Sequence, residues 1–464
     1  MASVAAKKPA PRRRGYRLLI VFVIVIVIVA GALVGLQVAA SAEVNAPGLV
    51  TVFQPLASVA AAGGGYRPVQ TGAVVNPGDS VQTDVKGRAS LTLPDGTVTQ
   101  MAGGTEIKLD AAHFNKTGTI HDVTLVQQAG RTFTNVQHLV SGSSFNVKGK
   151  SATASVRGTK FEVYIKPDGT MVVKLYEGTM TITTAQGSVT FSAPQQVSVD
   201  DAGNITPPGP IQPDPNDPFG PEVQAINAVN GNTTPGTDQY YVGPPLHDGE
   251  SQSFTYAYAG GSLLKASLGY PGSSMKLTVK APDGQSYNAT GSLPTVGISN
   301  APGGIYTITI TGVSGLGSVG EEPFVAVAVA EDCKSADVVK LGAVHRGYTA
   351  QDLIDTVQQG GFVPGLSNVK VDISDNTVFG AIIDGSGSYN GVPFTGIVVV
   401  LPNNGRLMVI PVAGTVLGSP VPARQVLDQI GSAIGQDPSN IYIGFKVERL
   451  FTCDSVLMID GRVG

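Results

Sequence analysis

Five histidines, His113, His121, His138, His247 and His345, are the residues of this 464-residue chain best suited to proton transfer or metal ligation. Either chemistry needs fixed spacing, as in His-Glu-x-x-His on one helix face, and no two of the five stand that way. His113 and His121 flank a predicted loop at 115–118 and read as solvated loop side chains, with a metal pair as the alternative. No Cys-x-x-Cys and no Asp-rich calcium loop occurs. Gly385-Ser386-Gly387-Ser388 lacks the later glycine of a nucleophile elbow and lies between strands. Gly149-Lys150-Ser151 imitates the end of a phosphate loop, but Ser144 replaces its first glycine and strands follow, so it reads as a hairpin tip. No catalytic residue, metal site or cofactor is therefore expected.

Cys333 and Cys453 are the only cysteines. They bracket the last predicted domain, and in an oxidising compartment they are a disulfide candidate. Such a bridge would close a loop of about 120 residues and contribute up to about 4–5 kcal/mol. Two buried free thiols are the alternative.

The compartment is set by the first forty residues. Lys7, Lys8, Arg12, Arg13, Arg14 and Arg17 precede residues 18–36, an uncharged run in which 15 of 19 residues are Leu, Ile, Val or Phe. At roughly −0.4 kcal/mol each these favour membrane insertion by about 6 kcal/mol. A helix over 18–40 spans a bilayer. The basic flank 1–17 is expected in the cytoplasm and everything after Ala42 outside. That leaves 24 basic against 34 acidic residues beyond the flank, a net charge of −10. Cleavage after Ala40-Ser41-Ala42 is the rival reading, and it exports the same residues. Gly31 and Gly35 form a small-xxx-small pair that would let two spans approach as a homodimer; ordinary glycine frequency is the bland reading.

Only 14% of residues are charged, while 42% are hydrophobic and 90 are Gly or Pro, so the chain can bury cores and turns often. A net charge of −4 argues against nucleic-acid binding. Residues 47–205 alternate apolar and polar positions between Asp-Gly and Glu-Gly turns, which predicts antiparallel strands and an all-β domain.

Within that domain, Asn76-Pro77-Gly78-Asp79-Ser80-Val81-Gln82-Thr83 resembles the Gly-Asp opening of the FecR domain, and Ala89-Ser90-Leu91-Thr92-Leu93-Pro94-Asp95-Gly96-Thr97 its first hairpin. Ala152-Thr153-Ala154-Ser155-Val156-Arg157-Gly158-Thr159-Lys160-Phe161-Glu162-Val163 and Val173-Lys174-Leu175-Tyr176-Glu177-Gly178-Thr179-Met180 are similar to its most distinctive stretches. Gly96, Gly158 and Gly178 fall where hairpins need positive φ. The resemblance covers about 70–200 and implies an extracytoplasmic β domain. Known members sense an outer-membrane transducer and signal to a sigma factor through a cytoplasmic domain. About 17 residues precede the span here, too few for a domain, so the module is carried over and the pathway is not.

Residues 206–245 are Pro-rich and predicted to form a semi-extended linker. Residues 246–332 return to strands, at 253–257, 263–268, 275–280, 305–310 and 324–329, and predict a β-sandwich. Pro282-Asp283-Gly284 and Ala301-Pro302-Gly303-Gly304-Ile305-Tyr306-Thr307 resemble the pre-peptidase C-terminal domain, although Met275-Lys276 stands where that family has an acidic residue. Residues 333–464 read as an α+β domain. Thr349-Ala350-Gln351-Asp352 is a capping box, and a second helix is expected at 423–434. Its element order resembles tubular lipid-binding domains of bacterial envelopes.

The expected architecture is mainly β: a transmembrane helix, an all-β FecR-like domain, a β-sandwich and a C-terminal α+β domain. The expected function is a non-catalytic, single-pass, extracytoplasmic binding or scaffold protein of the cell envelope. Its partners would be the bilayer through 18–40 and an envelope protein, glycan or lipid. A transmembrane regulator of FecR type is the first alternative, and an accessory protein of a secreted hydrolase the second.

Overall fold

The computed structural model describes residues 44–463 except 46, 94–96, 115–119, 137–141, 157, 231–236, 259, 273, 317–319, 331–337, 341–342, 361–365, 375–380, 404, 421–440 and 454. The expected span and its Gly31–Gly35 pair, the cleavage position, Cys333, the side chain of Cys453 and the helix at 423–434 lie outside the described residues. Among the described residues no helix is long and apolar enough to cross a membrane.

The N-terminal domain is built on two sheets that share one strand. The first sheet uses β1 (Gly48–Gln54), β2 (Ala73–Val75), β3 (Arg88–Thr92), β4 (Val98–Met101), β5 (Ile120–Asn135), β6 (Lys160–Ile165), β7 (Met171–Glu177) and β8 (Gln195–Val199). They lie in the order β2-β1-β3-β4-β5-β6-β7-β8, all antiparallel. Only Gly130–Asn135 of β5 takes part here; Asp122–Ala129 pairs in the second sheet with Glu106–Phe114 and, in parallel, with Ser144–Lys148. The second sheet continues through Ala152–Val156, Thr179–Thr184 and Gly187–Ser192, and the ladders close into a barrel.

The chain crosses between sheets at Gly130. Its φ is +76°, and a Cβ there would lie 2.4 Å from Thr105 Cα, so only glycine fits. Gly158 and Gly178 take the positive φ expected of them. Inward alternate residues, among them Leu91, Met101, Phe145, Phe161 and Val173, form the core, with Phe145 and Phe161 edge to face.

The sandwich has two four-stranded sheets. One holds Thr237–Val242, Val325–Ala330, Gly261–Gly269 and Thr295–Ala301; the other holds Ser251–Tyr258, Gly304–Gly312, Met275–Lys280 and Ser286–Thr290. The C-terminal domain packs a five-stranded and a four-stranded sheet around Val398, Val409, Phe445 and Ile459. Its helix Ala350–Gly360 starts at the expected capping box, where the Thr349 hydroxyl and N–H donate to Asp352 Oδ2 and the Asp352 N–H returns to Thr349 Oγ1.

The Pro-rich span 206–245 contains regular structure. Thr237–Val242 is an edge strand of the sandwich, and helix α1 (Phe219–Asn230) precedes it. Asp217 caps this helix, accepting from the N–H groups of Phe219 (2.8 Å) and Gly220 (3.2 Å), with Pro218 just before the first helical residue.

Candidate functional site

Strand alternation puts one set of side chains of the first sheet into the core and the other set on its outer face. The register lines the outer set into a cross-strand row: Thr51, Ser90, Gln100, Phe133, Glu162, Lys174 and Gln196. Arg88 and Arg131 stand one outward position along β3 and β5. A face of this kind ordinarily meets water. Here Arg88, Gln100, Arg131, Glu162 and Lys174 are all buried, Glu162 with 0% of its side chain exposed.

The cover is the segment that runs back from β8. Gly209 bridges to Gln196, and the chain then crosses the outer face at Asp214 and Asp217 and enters α1. Three acidic side chains point from this strap into the sheet. Asp214 pairs with Arg131; Asp217 lies 2.5 Å from Lys174; Glu222 lies 2.5 Å from Arg88 and 2.6 Å from Gln100 Nε2. Arg131 also pairs with Glu162, which accepts from the Tyr176 hydroxyl at 3.2 Å. Phe219 lies between these charge groups, stacked on Phe133 (5.7 Å) and under the Arg88 guanidinium (5.0 Å).

Burial raises the Glu162 carboxyl to about 7, with help from the neighbouring Asp217 carboxylate and against Arg131 and Lys174. Burial pushes Asp217 the same way, but Lys174 and Arg131 outweigh it and hold that carboxyl below its usual range. Burial likewise raises Glu222, opposed by Arg88 and Gln100. The pair Glu162 and Asp217 thus shares its environment unequally: Asp217 keeps the charge and Glu162 tends to keep a proton. Apart from the partly exposed Asp214, these ion pairs are removed from water, so losing one partner leaves a buried, uncompensated charge.

The later turns of α1 belong to the sandwich. Ala225 and Val229 pack with Val325, Val327 and Val329. Gly269 admits the helix closely, since a Cβ there would lie 2.3 Å from Pro221 O. The helix is therefore keyed to the N-terminal domain through acids and to the sandwich through apolar contacts.

None of the sequence-selected histidines enters this site. His113 lies 3.6 Å from Asp122, His247 is hydrogen-bonded to Gly320 O, and His345 is buried against Asp460. His138 and the side chain of His121 lie outside the described residues. Among the described residues no three His, Cys, Asp or Glu converge to hold a metal ion. Sequence reading missed the charged face because the strap and sheet partners are 43 to 134 residues apart. One local signal was available: Asp217-Pro218 is a helix start, with Glu222, Ala225, Ile226 and Val229 at the spacing of one helix face.

Residues 79–181 match the family model described as FecR protein, so this part of the chain is a FecR domain. Arg88, Gln100, Arg131, Glu162 and Lys174 all fall inside it. Two solved structures of a candidate anti-sigma factor from Parabacteroides distasonis are similar to part of the chain. The first is 23% identical, with a TM-score of 0.25, covering 29% of this chain and 61% of that one. The second is 20% identical, also at 0.25, covering 32% and 72%. PliG of Aeromonas hydrophila, a periplasmic inhibitor of g-type lysozyme, is 15% identical with a TM-score of 0.18, covering 20% and 86%. No curated protein matches the sequence.

Proposed function

We propose that the chain is a signalling regulator of FecR type, held to the membrane by residues 18–40, with its β-rich bulk outside the cytoplasm and acting by binding rather than catalysis. The observation that carries this reading is the FecR match over 79–181, on residues that supply most of the core of the N-terminal domain. The apolar run beside a basic flank supports the topology. The test is in-cell crosslinking of the tagged full-length chain, followed by mass spectrometry. A sigma factor or its antagonist among the crosslinked partners is expected. Recovery of envelope structural components alone would overturn the proposal.

A non-catalytic envelope scaffold is the second reading. It is favoured by the direct contacts between domains: Lys86 with Glu321 (3.1 Å), Gln54 Nε2 with Val242 O (3.1 Å) and Arg462 with Thr255 (3.1 Å). Such keying suits a rigid spacer as well as a transmitter.

A further inference from the structure

We propose that the outer face of the FecR sheet is a binding surface for an acidic, aromatic-bearing segment of a partner protein, and that residues 214–222 occupy it in this conformation as an internal ligand. This goes beyond the signalling reading and stands on geometry whichever partner the chain has.

Charge carries the argument first. The sheet face supplies Arg88, Arg131 and Lys174 against one carboxyl, Glu162. The strap supplies Asp214, Asp217 and Glu222 and no cation within 214–222. The carboxylate that meets Arg88 comes from the strap. With the strap lifted, the face would hold excess positive charge in a fixed pattern, which steers and selects an acidic partner.

Shape adds to charge. Phe219 sits against Phe133 and the Arg88 guanidinium, so the face has an aromatic seat between its cations. A buried aromatic or cationic anchor ringed by polar contacts is the usual form of a binding hot spot. Residues 214–222 meet the sheet through their side chains, while the stretch before them pairs by backbone with the edge strand β8, Ile205 with Val199 and Gly209 with Gln196. An occupant that enters by side chains can be exchanged without unravelling the sheet.

The internal ligand is tethered at both ends, which gives it an effective concentration on the order of millimolar. A partner segment must therefore compete, and its access is linked to the sandwich, because α1 is anchored there through Ala225 and Val229. Movement of the sandwich away from the FecR domain would draw the acids out of the face.

The probe is a labelled peptide with the sequence of residues 211–223, Ile-Gln-Pro-Asp-Pro-Asn-Asp-Pro-Phe-Gly-Pro-Glu-Val. Binding to the full-length chain is followed by fluorescence anisotropy. The Asp217→Asn/Glu222→Gln chain is expected to bind it at least tenfold more tightly than wild type, and adding Arg88→Glu should abolish binding. A second readout does not depend on that variant folding. In the wild-type chain, millimolar peptide should speed amide exchange over α1, and a peptide with Asn and Gln in place of its acids should not. Unchanged exchange in the wild-type chain, or equal action by the neutral peptide, overturns the proposal.

Discussion

Glu162 is the residue whose chemistry the fold changes most. Its carboxyl ionises near 4.5 when free and near 7 under the strap. Between those values the closed state holds a proton that the open state has lost. Closure therefore weakens as pH rises toward about 7, where the closed state gives up the Glu162 proton. Asp214 and Asp217 act in the opposite sense, since both are held below the ordinary 3.8 and lose their contribution as pH falls through that region. Closure should be firmest between these two ranges. Exchange protection of α1 measured from pH 4.5 to 7.5 should decline, and Glu162→Gln should flatten the decline. Glu222 gives a sharper test of pairing. Glu222→Ala strands the Arg88 charge in the interior and should cost about 3–5 kcal/mol in urea unfolding, whereas Arg88→Met with Glu222→Leu should cost far less.

At the scale of elements, two helices start on similar chemistry and serve different ends. Thr349 and Asp352 close a reciprocal box at the surface, so Thr349→Ala should lower stability by about 1 kcal/mol and touch nothing else. Asp217 caps α1 and at the same time neutralises Lys174. Asp217→Ala should therefore cost more than a cap alone, by loss of the buried pair, with both losses visible as faster exchange in α1. The capping box could be read from four adjacent residues. The double role of Asp217 could not, because Lys174 is 43 positions away.

Across the whole molecule the domains are joined by chemistry of different kinds. The FecR domain meets the sandwich through α1 and Lys86–Glu321, and it meets the C-terminal domain through Leu49, which is buried with Ile382, Ile397, Val399, Leu401 and Met408. Leu49→Ala should remove about 2–4 kcal/mol from that junction. Differential calorimetry should then resolve the C-terminal domain as a separate, earlier transition. A single unchanged transition would mean that Leu49 contributes nothing to the coupling.

The amino-acid sequence alone determined the strand-rich character, the FecR stretch with positive φ at Gly158 and Gly178, the sandwich strands and the capped helix at Ala350. Each depends on neighbours within a few residues, through alternation, turn geometry or capping. The assignment of the outer face was decided by tertiary structure alone. Alternation marks Arg88, Glu162 and Lys174 as outward and is silent on what lies beyond them. Their burial follows from a Pro-rich segment that looked like a spacer until its three acids met three cations on the sheet. Pairing between charges so distant in sequence has no local signature, because it arises from where the folded backbone returns and not from which residues stand side by side.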